Sequence, residues 1–165
     1  TGYNHTCALA GGQKVRCWGS NQNGVLGLGY VDIIGDNESA DGSPYIDLSG
    51  DGSDSFIMVA TGNNHSCAID SSNKAYCWGL GSLGATGHGD TATIGDNEAI
   101  DKENTLVRIV PEVTQLSGGV NHTCALTKDE GKVICWGQNS YGQLGLGHDF
   151  SVGDNEDPEE FVRLQ

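Results

Sequence analysis

An all-β fold built from β-propeller blades, each a four-stranded antiparallel sheet, is the architecture that the sequence predicts, and three observations predict it. A motif recurs three times, beginning at Gly2, Gly62 and Gly119, 60 and 57 residues apart. Glycine is abundant, 26 of 165 residues against 3 prolines, well above the usual share of about 7%. Short apolar runs alternate with polar residues at period two and are interrupted before a helix can form. The glycines sit beside tryptophans and Asn, Asp or Ser clusters with no Gly-X-Y period, which excludes collagen. Four short strands per unit of this length is the pattern of a propeller blade.

Each copy opens with Gly-x-Asn-His-(Ser/Thr)-Cys-Ala-(Leu/Ile), at 2–9, 62–69 and 119–126. Cys-Trp-Gly follows at 17–19, 77–79 and 135–137, then a glycine-rich stretch at 24–29, 84–89 and 142–147, then Gly-Asp-Asn-Glu at 35–38, 95–98 and 153–156. Each Trp stands 16 residues before the Ile or Val that precedes this tetrapeptide, so the backbone path between them is fixed. Length varies only in the connection afterwards, which in the first copy carries Asp41-Gly42-Ser43 and the polar stretch 49–54 and reads as a surface loop. The four strands of a unit are expected around Ile46, at 57–60, at 67–69 and at 74–78. The chain is one repeat region, 1–165, with approximate units 1–44 (an incomplete first blade), 45–105 and 106–160, and with 161–165 starting a further unit. Three twisted sheets do not close a circle, so this region is expected to be part of a larger propeller or blade array, its terminal faces covered by further repeats or by head-to-tail copies.

The motif Gly-x-x-His-(Ser/Thr)-x-Ala-Leu, followed by Trp-Gly-x-Asn-x-x-Gly-Gln-Leu-Gly-x-Gly, resembles the repeat of the regulator of chromosome condensation family. The third copy, with Trp136, Gly137, Asn139, Gly142, Gln143, Leu144, Gly145 and Gly147, matches it almost throughout. The resemblance covers essentially the whole chain and implies a propeller. It marks function weakly, because one fold hosts many jobs. The second copy departs from it: Leu80-Gly81-Ser82-Leu83 replaces the Asn-containing turn, and Thr86 and His88 stand where the other copies have leucine.

Six cysteines fall into three pairs that the resembled family lacks in this hairpin. A hairpin turning at 11–13 sets Leu9 opposite Val15 and Cys7 opposite Cys17. The same register pairs Cys67 with Cys77, and a turn longer by one residue pairs Cys124 with Cys135. Directly opposed strand residues lie within disulfide reach. Reduced thiols packed as small hydrophobes are the alternative reading, and a zinc site is disfavoured by the spacing. Disulfides of this number persist in oxidising compartments, so the expected location is extracellular or at a cell surface, or the periplasm.

His5, His65 and His122 recur at one position, as do Trp18, Trp78 and Trp136. They read as structural repeat residues, the histidines in the blade's own hydrogen bonding and the tryptophans packed between adjacent blades. The oxygens of Asp36 and Glu38, Asp96 and Glu98, and Asp154 and Glu156, with the intervening Asn residues, are hard ligands of the kind calcium takes. Tight-turn chemistry explains the same residues and is the preferred reading, so no cofactor other than calcium enters. Asn4, Asn64, Asn121 and Asn37 fit the glycosylation sequon, and three of the four coincide with the fold motif, which leaves Asn37 the best candidate. Every distinctive residue obeys the repeat, whereas catalytic sites usually break it, so no enzyme is expected.

A formal net charge of −14 disfavours nucleic acid as a partner, and no stretch reaches the about 18–20 apolar residues that a membrane span needs. The leading expectation is a non-enzymatic extracellular module, structural and protein-binding, that assembles head to tail into a coat, fibre or appendage through a protein partner or self-association. The alternative is a secreted ligand binder, an enzyme inhibitor or a lectin-like glycan binder, using the loop face and Tyr30, Tyr45 or Phe150. Nucleotide exchange on a small GTPase, the founding activity of the resembled family, is the least favoured because it needs a reducing setting and basic contacts.

Overall fold

The structure, a computed structural model, describes residues 1–108, 112–129 and 131–158. Eight strands form three antiparallel sheets among these residues. In the first, β1 (His5–Ala10) pairs with β2 (Lys14–Gly19). The second runs in the order β3 (Phe56–Thr61), β4 (His65–Asp70), β5 (Ala75–Gly79). The third repeats that order with β6 (Val113–Gly118), β7 (His122–Thr127) and β8 (Val133–Gly137).

The hairpins lie in the register read from the alternation. Leu9 opposes Val15, Ile69 opposes Ala75 and Leu126 opposes Val133. Two registers farther along, Cys7 opposes Cys17, Cys67 opposes Cys77 and Cys124 opposes Cys135. Each pair is joined as a disulfide, with Cα atoms 4.0–4.1 Å apart. The turns need a left-handed residue, supplied by Gly12 and Gln13 in the first hairpin, Asn73 in the second and Gly131 in the third.

Four full strands per sheet is corrected: the sheets hold two, three and three strands among the described residues. The run around Ile46 meets β2 only as a bridge between Arg16 and Tyr45, with the Ile46 amide on the Val15 carbonyl at 2.8 Å. The ladder does not extend farther, and the amides of Leu48 and Ser49 turn to the Asp54 carboxylate. That run therefore bonds to the first sheet, as Leu106 does to Tyr76 of the second. The strand expected at 161–165 lies outside the described residues.

Apolar side chains fill the spaces between successive sheets. One cluster joins units 1 and 2 through Val15, Leu26, Ile46, Phe56 and Trp78. The other joins units 2 and 3 through Ile69, Val107, Val113, Trp136 and Leu144. The core is thus two face-to-face seams, the packing that a propeller repeats around its axis.

Candidate functional site

Each seam is closed by the motif residues, and the chemistry begins at the first glycine. A Cβ at Gly62 would lie 2.0 Å from Cε1 of His65 and 2.6 Å from the Gly119 carbonyl, so only glycine lets the imidazole fold over the backbone. The same holds at Gly2 under His5 and at Gly119 under His122. The ring so placed reaches into the next unit. His5 Nε2–H donates to Ser66 Oγ at 2.9 Å, and Ser66 donates onward to the Val25 carbonyl at 2.8 Å. Trp78 Nε1–H donates to that same carbonyl at 2.9 Å.

The second seam repeats the set. His65 Nε2–H donates to Thr123 Oγ1 at 2.8 Å, Thr123 to the Ala85 carbonyl at 3.0 Å, and Trp136 Nε1–H to Ala85 at 3.1 Å. Trp78 and Trp136 are fully buried. Their indoles lie against glycines of the preceding stretch, since a Cβ at Gly27 or Gly87 would come within 2.9 Å or 2.7 Å of the Trp Nε1. Burial lowers the pKa of His5 and of His65 from the ordinary value to about 4, so both rings are neutral at pH 7.

Among the described residues, the two terminal faces carry the same groups without the counterparts. Thr6, which corresponds to Ser66 and Thr123, is half-buried, as is Trp18. Neither side chain has a hydrogen-bond partner among the described residues, nor does the His122 ring. Burial shifts the His122 pKa downward. A Cβ at Gly142 or Gly147 would meet nothing within 4 Å, whereas at Gly24 or Gly84 it would strike the backbone of the next unit's tetrapeptide at 2.4 Å.

The Gly-Asp-Asn-Glu segments are closed on themselves. Glu38 Oε1 accepts the Gly35 amide at 2.8 Å, Glu98 Oε1 that of Gly95 at 2.8 Å, and Glu156 Oε1 that of Gly153 at 3.1 Å. One carboxylate oxygen of each glutamate among the calcium candidates is thus engaged in a turn. The segments carrying Asp96 and Asp154 wedge against the preceding unit, while Asp36 is exposed. Among the described residues no group of three or more His, Cys, Asp or Glu side chains is arranged to hold a metal ion. Of the sequon residues, Asn4 and Asn37 are exposed and Asn64 and Asn121 are half-buried, with the Ser66 and Thr123 hydroxyls locked in the seams.

Tyr30, Tyr45 and Phe150 are all exposed, with the Arg16 guanidinium 4.1 Å over the Tyr45 ring. Among the described residues no ring contact joins the three, and Tyr3 and Tyr141, which the loop reading passed over, are more exposed than Tyr30 and Tyr45. The larger omission lies in unit 2. Gly81 replaces an asparagine whose counterparts, Asn21 and Asn139, accept the Leu26 and Leu144 amides at 2.9 Å. A Cβ at Gly81 would lie 1.9 Å from the Ala92 carbonyl, so the loop after His88 has moved into the vacated space. Thr86 and His88, in the leucine positions, are buried, and Thr86 Oγ1 and His88 Nδ1 find no hydrogen-bond partner. Beside His88 opens a cavity of about 320 Å³. The departure from the repeat was the visible signal.

Comparison with known proteins gives the repeat a match. The model described as the regulator of chromosome condensation (RCC1) repeat matches residues 1–25, 57–85 and 113–143, and a second model of the same description matches 14–69 and 130–160. The ultraviolet-B receptor UVR8 of Arabidopsis thaliana is 33% identical over 147 residues, covering 89% of this chain and 30% of that protein. The probable E3 ubiquitin-protein ligase HERC4 of Mus musculus is 34% identical over 144 residues, covering 87% of this chain and 12% of that protein. The crystal structure of Prp20p from Saccharomyces cerevisiae, described with its binding to Gsp1p and histones, superposes on 100% of this chain and 37% of its own with a TM-score of 0.71 at 22% identity. The chain spans about a third or less of the length of the curated relatives it matches.

Proposed function

This chain belongs to the regulator of chromosome condensation repeat family, and from that premise we propose that it is a non-enzymatic protein-binding module of an oxidising compartment, extracellular or at a cell surface. Its terminal blade faces take a further blade of the same kind, and where that blade comes from a second copy the contact grows head to tail. One observation carries this reading. The groups that close the two inner seams recur at the outer faces in complementary halves, Thr6 and Trp18 on one, His122 and the carbonyl of Gln143, the residue in the sequence place of Val25 and Ala85, on the other. A head-to-tail contact uses different surfaces on the two partners, so it extends into a coat or fibre unless its rotation closes a ring. The three disulfides support the compartment, because such bridges last where thiols are not kept reduced.

The test is light scattering coupled to size exclusion on the oxidised chain. The expected result is mass that rises with concentration in the micromolar range and falls back with Trp18→Glu. A monomer of 17.3 kDa at every concentration overturns the assembly reading.

A further inference from the structure

The two inner seams share their buried joint and differ where they open to solvent. At the first seam the turn after Trp18 carries Ser20, Gln22 and Asn23, and the loop of unit 2 across from it carries Asn63. The corresponding positions at the second seam are Leu80, Ser82, Leu83 and Val120. Three of these four are apolar, and Leu83 and Val120 are exposed. The joint between blades therefore does not require amides at this place, and their presence in the first seam departs from the repeat. Departures of this kind are where function is to be sought.

Ser20, Gln22, Asn23 and Asn63 line one pocket together with Asn4 and Asn64. Asn4 and Gln22 are exposed and the other four half-buried, so all six are open to solvent. None of the five side-chain amides, nor the Ser20 hydroxyl, has a hydrogen-bond partner among the described residues. No carboxylate, ammonium or guanidinium lines the pocket. The one titratable ring in its wall, His5, is held by Ser66 and is neutral at pH 7, since burial lowers its pKa to about 4. The pocket measures about 30 Å³, room for about two water-sized groups. Tyr3, 73% exposed, adjoins it, with its amide 3.4 Å from the Asn63 carbonyl.

We infer that this pocket binds a neutral carbohydrate, taking in the hydroxymethyl arm or one hydroxyl pair of a sugar whose ring stays outside. A carboxamide presents a donor and an acceptor side by side, which matches hydroxyls that must both give and receive a hydrogen bond. An ion finds no opposite charge here, and an apolar group would strip water from the amides and replace none of its bonds. A peptide backbone spaces its polar groups along an extended strand, more than a pocket of this size takes in. Tyr3 adds an exposed ring, apolar in its body and polar at its tip, for the C–H face of the sugar. Leu83 and Val120 offer no such bonds at the second seam. The site is independent of the terminal faces and of self-association.

The experiment is an NMR titration of the oxidised 165-residue chain with the methyl glycosides of glucose, galactose, mannose and N-acetylglucosamine, and with N-acetyl-triglycine N-methylamide as the peptide probe. The result expected is saturable shifts of the Gln22, Asn23 and Asn63 side-chain amides with at least one glycoside and none with the peptide. Asn23→Leu and Asn63→Val install the residues that the second seam already carries, so the melting temperature should hold. Each should weaken glycoside binding by at least about fivefold, the loss of one net hydrogen bond. The proposal is overturned by no saturable shift with any glycoside, which would leave the pocket to bound water, by equal or tighter binding of the peptide, or by unchanged affinity in both variants. A chain that assembles in light scattering yet binds no glycoside overturns this inference alone, and one that binds a glycoside while staying monomeric overturns only the assembly reading.

Discussion

The inner seams and the terminal faces of this molecule are built from the same residues in different surroundings. Trp78 and Trp136 are fully buried with their indole N–H groups on a carbonyl, whereas Trp18, at the same place in its repeat, is half-buried and donates to no described residue. His5 and His65 hand a hydrogen bond to the next unit, and His122 hands none to a described residue. A repeat thus encodes half of two interfaces rather than a self-sufficient unit, which is the general economy of repeat architectures. The motif Gly-x-x-His-(Ser/Thr) is a joint between blades.

That contrast predicts the size of mutational effects. The largest belongs to the seam tryptophan: Trp136→Ala should destabilise by about 3–5 kcal/mol, and Trp18→Ala by under about 1 kcal/mol, read by urea denaturation. Equal losses would dissolve the distinction. Next is pH. The His65 pKa is about 4 in the fold and 6.5 when solvated, so the unfolded chain binds more protons between those values. Its contribution of roughly 3 kcal/mol is present in full above pH 6.5 and is lost as pH falls toward 4. His65→Asn should flatten this dependence far more than His122→Asn, in midpoints measured at pH 7 and pH 4.5.

Disulfides sharpen the comparison by being indifferent to it. Each closes a short hairpin loop, with separations of 10, 10 and 11 residues. Replacing a pair with alanines should therefore remove a similar about 2–3 kcal/mol from unit 1 and from unit 3. Within the seams, Thr86→Val removes a buried hydroxyl that has no partner and should stabilise by about 1 kcal/mol in the same assay. The smallest effect is none: millimolar calcium should leave the melting temperature unchanged, because Glu38, Glu98 and Glu156 already serve the Gly35, Gly95 and Gly153 amides. A rise of several degrees that Asp96→Ala abolishes would restore the cation reading.

Much of this architecture was legible because its periodicities are rigid. The hairpin register followed from the alternation between Cys7 and Cys17, and the inter-blade place of Trp78 from its standing opposite the cysteine face. What escaped the sequence depends on contacts between distant residues. That the histidine bonds to the hydroxyl of the following unit is invisible in a motif where His and Ser or Thr are neighbours. The outer run at Ile46 reads as a strand by alternation, yet its amides are diverted to Asp54, six residues away from Leu48. The cavity of unit 2 needed the loop at Ala92 to be seen against Gly81 and beside His88, although each substitution was plain alone.

The claim that the terminal faces are unfilled halves of the seam is tested most directly by 19F NMR of the chain labelled with 5-fluorotryptophan. At low concentration one of three resonances, Trp18, should broaden with a soluble paramagnetic quencher, while those of Trp78 and Trp136 should not. As concentration rises through the range in which mass increases, the Trp18 signal should become protected like the other two. A Trp18 resonance that stays accessible at every concentration while the mass grows would show association through another surface and contradict the account.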